Sequence, residues 1–225
     1  VSFGGANFEE SLIHLDQSIP NAKSLSRMKI EIVGNYEGGI HSGYQQEVVF
    51  ENPGVYLILG NNIGEPEKGT SAEKKDNLAE SASYPLGNVD VQRMVQDALG
   101  GSRTAWDKVK TLVAYVDRFI ADDYSSNSLS VFEIIQKRRG DCSEHALLFN
   151  TMARAAGIPA REVRGLMHFE DKKFGLHAWN EVLVDGVWRA VDATWNQTEI
   201  PITHIKFSEN HLISPNISFN LIWME

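Results

Sequence analysis

The 225-residue sequence predicts an α+β fold in which a small β-rich region precedes a segment that mixes helices with an antiparallel hairpin. Three observations carry this expectation. Short strand-like runs crowd residues 26–60, an apolar stripe at helical spacing begins at Val109, and Asp185-Gly186 divides two stretches of strand-forming residues.

The strand-like runs are Met28 to Val33, Gln46 to Phe50 and Val55 to Leu59, broken by Gly38-Gly39 and Pro53-Gly54. Residues 61–88 are polar, contain Pro66, Gly69, Pro85 and Gly87, and carry mixed charges in Ala72-Glu73-Lys74-Lys75-Asp76, so they read as a solvated surface connection. The chain thus divides into a β-rich N-terminal region with a polar linker, 1–88, and a second domain, 89–225. In the second part Val109, Leu112, Val113, Val116, Phe119 and Ile120 line one face of a core-facing helix. Val131, Ile134 and Ile135 predict a shorter helix, ended by Lys137-Arg138-Arg139, a basic trio that complements the negative end of a helix dipole.

Composition removes several classes of function. Hydrophobic residues at 42% and charged residues at 23% are ordinary for a globular chain, and no apolar run reaches the ~20 residues that span a bilayer, so no integral membrane segment is expected. Lys and Arg number 21 against 30 Asp and Glu; the net charge of −9 weakens non-specific attraction to nucleic acid, which is not expected as a partner. A single cysteine excludes an intramolecular disulfide and any zinc site built from cysteine pairs. The chain starts at Val1 rather than Met, as a mature or excised fragment would, so leader-peptide arguments do not apply and the compartment stays open.

The densest chemistry begins at Gly140-Asp141-Cys142-Ser143-Glu144-His145. Asp141 and Glu144 have the spacing of a capping box, and Gly157 followed by Pro159 is a stop signal, so a helix is expected between them with Cys142 in its first turn. Unpaired N–H groups and the helix dipole favour an anion there, and the same N–H groups can donate to a developing oxyanion. Continuing the helical period from Cys142 meets Ala146, Phe149 and Ala153, an apolar stripe. Taken alone, a lone cysteine on such a stripe reads as a small core hydrophobe.

The next segment shifts that balance. Asp185-Gly186 lies between His177-Ala178-Trp179-Asn180-Glu181-Val182-Leu183-Val184 and Val187-Trp188-Arg189-Ala190-Val191-Asp192, a strong hairpin signal. A two-residue loop pairs Val184 with Val187, which puts Trp179 opposite Asp192 and His177 opposite Thr194. His177 and Asp192 then fall on one face of the ribbon as diagonal neighbours, roughly 7 to 8 Å apart at the backbone and within side-chain hydrogen-bonding reach. An imidazole oriented by a carboxylate beside a thiol on a helix end is the arrangement of thiol acyl transfer, and a carboxylate inside a Val/Ala/Trp strand is costly without such a partner.

Four motifs in order, Arg139-Gly140-Asp141-Cys142-Ser143-Glu144-His145-Ala146, Gly157-Ile158-Pro159-Ala160-Arg161, His177-Ala178-Trp179 and Trp188-Arg189-Ala190-Val191-Asp192-Ala193-Thr194, resemble the transglutaminase-like superfamily in its bacterial form. The resemblance runs from about Val109 to Phe207 and leaves the first hundred residues uncovered. It implies a papain-like core, with a helix-borne Cys packed on an antiparallel sheet bearing His and Asp, and it puts the nucleophile on Cys142, the base on His177 and the third member on Asp192. It implies no cofactor and no metal. Tyr124 resembles the aromatic that often precedes the core motif.

The expected reaction is acyl transfer on a peptide or carboxamide bond through a Cys142 thioester, with a protein or peptide as substrate. Hydrolysis, as in a cysteine protease or amidase, is favoured. Cross-linking by a protein-glutamine transglutaminase is the alternative; no calcium-loop signature is present, and the paired cysteines of zinc-bearing amidase relatives are absent. Two readings of another class stay open: a non-catalytic peptide-binding module, and a metal-binding module using Cys142, His145, His177 and Asp192. Glu181, on the face of His177, is expected to join a polar network, and Arg161 and Arg164 structural ion pairs. Trp179, Trp188 and Trp195 cluster around the hairpin as packing or cleft residues, while His14, His41, His168, His204 and His211 receive no role.

Overall fold

The computed structural model describes residues 12–102, 104–125, 128–208 and 217–225. His211 lies outside them. Chain contacts divide the molecule into two units, each assembled from separated stretches: one from Lys68–Val163 and Ala178–Ile200, the other from the residues before Lys68 with Arg164–His177 and the residues from Pro201 onward.

The second of these units holds the β-rich region. Strands β1 (Ile13–His14), β2 (Arg27–Gly34), β3 (Gln46–Glu51) and β4 (Gly54–Gly60) fall on the predicted runs, apart from the short β1. A strand that the sequence did not announce, near the far end of the chain, completes the sheet, whose order is that strand, then β2, β4 and β3, all antiparallel. Alternation along β2 turns Met28, Ile30 and Ile32 inward, where they meet Leu57, Leu59 and Phe219, while Lys29 points outward to Glu51 at 2.9 Å.

The helices belong to the first unit: α1 (Ser71–Asp76), α2 (Val89–Leu99), α3 (Ala105–Phe119), α4 (Val131–Lys137) and α5 (Cys142–Ala155). Helix α1 corrects the reading of residues 61–88 as a plain connection. Thr70 and Glu73 close a reciprocal capping box there, although the helix buries no residue and is solvated as its charges suggest. In α3 the predicted stripe is the buried one, with Val109, Leu112, Val113 and Val116 facing the core. Helix α4 ends where the basic trio begins, Arg138 taking the left-handed conformation at φ 51°.

Between α3 and α5 run two short strands, β5 (Ala121–Asp122) and β6 (Arg139–Gly140), paired in parallel with Asp122 opposite Gly140. Four further strands follow α5: β7 (Ala160–Glu170), β8 (Lys173–Val184), β9 (Val187–Val191) and β10 (His204–Lys206); the late strand noted above is β11 (Ile217–Met224). Strand order in this second sheet is β1-β8-β7-β10, with β9 also paired to β8. Asp185 and Gly186 both adopt positive φ, 55° and 80°, which a two-residue hairpin with the native strand twist demands. The observed register, Val184 with Val187 through Asn180 with Val191, is the expected one. Val182, Val184, Val191 and Ala193 thereby share one face, and they pack on Leu148, Phe149 and Met152 of α5.

Candidate functional site

Cys142 is the first residue of α5, and Asp141 caps it. The Asp141 carboxylate accepts the Ser143 N–H at 2.8 Å, and Glu144 Oε2 accepts the Asp141 N–H at 2.9 Å, so the predicted box is closed in both directions. The Glu144 carboxylate also accepts the Leu129 N–H at 3.0 Å, which ties the loop before α4 to the start of α5. Burial pushes the Glu144 carboxyl up, against the two backbone donors that pull it down. A carboxyl whose folded-state pKa lies above its unfolded value contributes most below the ordinary Glu range, and the contribution is lost as pH rises through the raised value. Denaturant melts of the wild type and Glu144→Gln from pH 4 to pH 7 are expected to show a wild-type advantage that shrinks with rising pH; an advantage independent of pH would contradict that ionisation.

The thiol is buried in a small cluster with Ala146 and Ala178. Ala178 lies on β8 one residue beyond His177, and Asn180, two residues further, donates from Nδ2 to the Ala146 carbonyl at 3.0 Å. The strand beside His177 is thus pinned to the helix turn that carries Cys142. Ala178, Asn180 and Val182 face α5, while strand alternation assigns His177, Trp179 and Glu181 to the opposite face. The hairpin ladder runs from Val184 with Val187 to Asn180 with Val191; Asp192 follows directly after its last pair. Asp192 is fully buried; its Oδ1 accepts the Thr194 N–H at 2.9 Å and its backbone bridges Gln197.

Tyr124 joins this neighbourhood. The β5–β6 ribbon, extended by the Asp123 N–H to Gly140 carbonyl bond at 3.0 Å, carries it alongside the start of α5. Its phenol is pushed up chiefly by burial, then by the charges of Asp122, Cys142, Asp141 and Asp192, although the residue keeps 54% of its surface exposed.

Other expectations resolve into structure. The Arg161 guanidinium grips Glu181 Oε2 at 2.6 and 2.7 Å, reaches Glu73 at 3.4 Å and stacks on Trp188, so Glu181 belongs to the expected polar network. Trp179 packs on Val163 and Ile200, and only Trp195 of the three tryptophans is well exposed, at 42%. His145 spends its Nδ1–H on the Asp141 carbonyl at 2.8 Å. Among the described residues, no convergent group of three or more potential metal ligands includes Cys142 or His145. Sequence reading missed His204, whose ring lies 5.6 Å from that of His177, centroid to centroid, at 69°. It also missed Asn180, although a polar residue on the inward face of a Val/Leu strand was a visible signal.

Residues 92–193 match the transglutaminase-like superfamily. This stretch is a transglutaminase-like domain. The kyphoscoliosis peptidases of mouse and human are 25% and 26% identical to the chain over 150 and 153 residues, 59% and 60% of its length. The chain spans only 22% of either curated relative. Among solved structures, a proposed cysteine protease from Cytophaga hutchinsonii shares the fold at a TM-score of 0.55 and 17% identity, covering 92% of this chain and 85% of its own. The periplasmic domain of TgpA from Pseudomonas aeruginosa does so at 0.55 and 13% identity, covering 86% and 92%. The fold is α+β, and the transglutaminase-like domain is of the papain-like kind on which thiol-dependent enzymes are built. Among the described residues no helix is long and apolar enough to cross a membrane.

Proposed function

We propose that the protein is a thiol acyl-transfer enzyme in which Cys142 is the nucleophile, His177 its base and Asp192 the carboxylate that orients the base, and that it hydrolyses a peptide or carboxamide bond. The observation that carries this reading is that Cys142, at the capped start of α5, shares one buried cluster with Ala178, the chain neighbour of His177. Support also comes from the hairpin register, which between Val184–Val187 and Asn180–Val191 is the one from which the sequence expects His177 and Asp192 on one face, and from the transglutaminase-like domain itself.

The thiol gives its proton to His177 as Sγ bonds to the substrate carbonyl carbon, and the oxygen takes the charge beside the Cys142 N–H at the start of α5. Collapse breaks the C–N bond. The departing nitrogen takes the proton from the imidazolium and leaves as ammonia or an amine, while the acyl group stays on Sγ as a thioester. Water, deprotonated by His177, then attacks the thioester, the acid leaves and the thiol reforms.

An amine in place of water would make the same thioester an intermediate of cross-linking, so partition between the two acceptors is the test. The protein is incubated with denatured casein and a biotinylated pentylamine, and new carboxyl termini, ammonia and incorporated biotin are measured together. New termini or ammonia without biotin is the expected result. Biotin incorporation above hydrolysis would turn the assignment to transglutaminase. Absence of all three, with a Cys142 that alkylates no faster than free cysteine, would leave a peptide-binding module.

A further inference from the structure

We infer that His204 is a positioning residue for the His177 imidazole, holding its ring plane by edge-on packing. The inference rests on the assignment of His177 as the base. Both histidines belong to the unit that contains Arg164–His177 and the residues from Pro201 onward, and both are buried to about the same degree, with 4% of their surface exposed. Their rings meet at 69° with centroids 5.6 Å apart, the edge-to-face geometry that fixes the tilt of an aromatic ring. An imidazole that must accept a proton from a thiol and return it to a leaving group works only within a narrow range of orientation, and a misplacement near 1 Å costs on the order of 100-fold.

The mount of His204 is rigid enough for that task. One edge of β10 is hydrogen-bonded to β7, with His204 opposite Met167 and Ile205 opposite Leu166. On the other edge the His41 N–H donates to the Lys206 carbonyl at 3.1 Å and the Ser208 N–H to the Gly39 carbonyl at 2.8 Å. The buried Gln46 side chain closes the clamp: its Oε1 accepts the Lys206 N–H at 2.7 Å and its Nε2 donates to the Lys206 carbonyl at 2.8 Å. The His204 N–H donates to the Pro201 carbonyl at 3.1 Å, which fixes the turn leading into the strand. A strand of three residues held on both edges is an anchor, and the side chain it presents to His177 is a ring.

The test uses the rate of Cys142 alkylation by iodoacetamide at pH 7, which needs no substrate. His204→Leu fills the space without a flat ring, and His204→Phe restores the ring without its nitrogens. Expected rates are a loss of about tenfold for His177→Ala, a several-fold loss for His204→Leu and a rate within about twofold of wild type for His204→Phe. Combined with His177→Ala, His204→Leu should add nothing, because a residue that acts through His177 has no effect in its absence. A merely structural role would slow alkylation equally in both backgrounds, and that result overturns the inference. So does a wild-type rate in His204→Leu, or a His204→Phe as slow as His204→Leu. If His177→Ala itself alkylates at the wild-type rate, the assignment of the base fails and the inference falls with it. If His177→Ala is slow and His204→Leu is not, only the inference falls.

Discussion

Cys142→Ala is expected to reduce turnover by about 10⁴-fold or more while the protein remains folded. The sulfur supplies the atom that bonds to the substrate carbonyl, and the sequence holds no second thiol to replace it. Structural cost is small, since the side chain packs in a small cluster with Ala146 and Ala178, and the loss of one buried sulfur is worth about 1 kcal/mol. The check is a pair of measurements: turnover of the substrate found in the amine-partition assay, and a thermal melt. Mass spectrometry of the wild type quenched during turnover should find the acyl adduct on the Cys142 peptide. Activity within tenfold of wild type in the alanine variant would remove the thiol from the reaction.

Gly140→Ala is expected to destabilise the protein by about 3 kcal/mol and to slow Cys142 alkylation. A methyl group at this position would come within 2.5 Å of Glu144 Cγ and closer still to its Cβ. Glu144 has nowhere to retreat without releasing the Asp141 and Leu129 N–H groups, the first unsatisfied in a buried place and the second in a half-buried one. Backbone movement instead would strain the bond from the Asp123 N–H to the Gly140 carbonyl, and with it the ribbon that carries Tyr124. For a chain of this length the melting temperature should fall by roughly 10 °C. A melt within about 2 °C of wild type would mean that the turn has slack and that Glu144 does not fix the helix start.

What the sequence made legible was what short-range chemistry determines. Asp141 and Glu144 sit three residues apart and need only a helix start to find each other; Asp185-Gly186 needs only its own two left-handed residues to set the register of β8 and β9. From that register follows the expectation that His177 and Asp192 share a face. Helix α2 was not read, because its inward residues, Val91, Met94 and Val95, are few and become a stripe only when α3 and α5 are present to meet them. Strand β11 was hidden for a similar reason: its pattern slips at the bulge between Leu221 and Trp223, and its partner β2 is at the far end of the chain. His204 carried no local mark either, since nothing near it in sequence announces that its ring meets His177.

The pairing of β2 with β11 orders events during synthesis. Residues 27–60 leave the ribosome early and can form β2, β4 and β3 at once, but Ile30 waits for Leu221 and Val33 for Ser218. Until residues 217–224 emerge, one side of β2 offers unpaired N–H and C=O groups to any neighbouring nascent chain. The helical residues from Val89 to Ala155 are joined by local contacts and reach their packing without that delay. The unit that holds Cys142 can therefore begin to consolidate while the unit that holds His177 is still missing a strand.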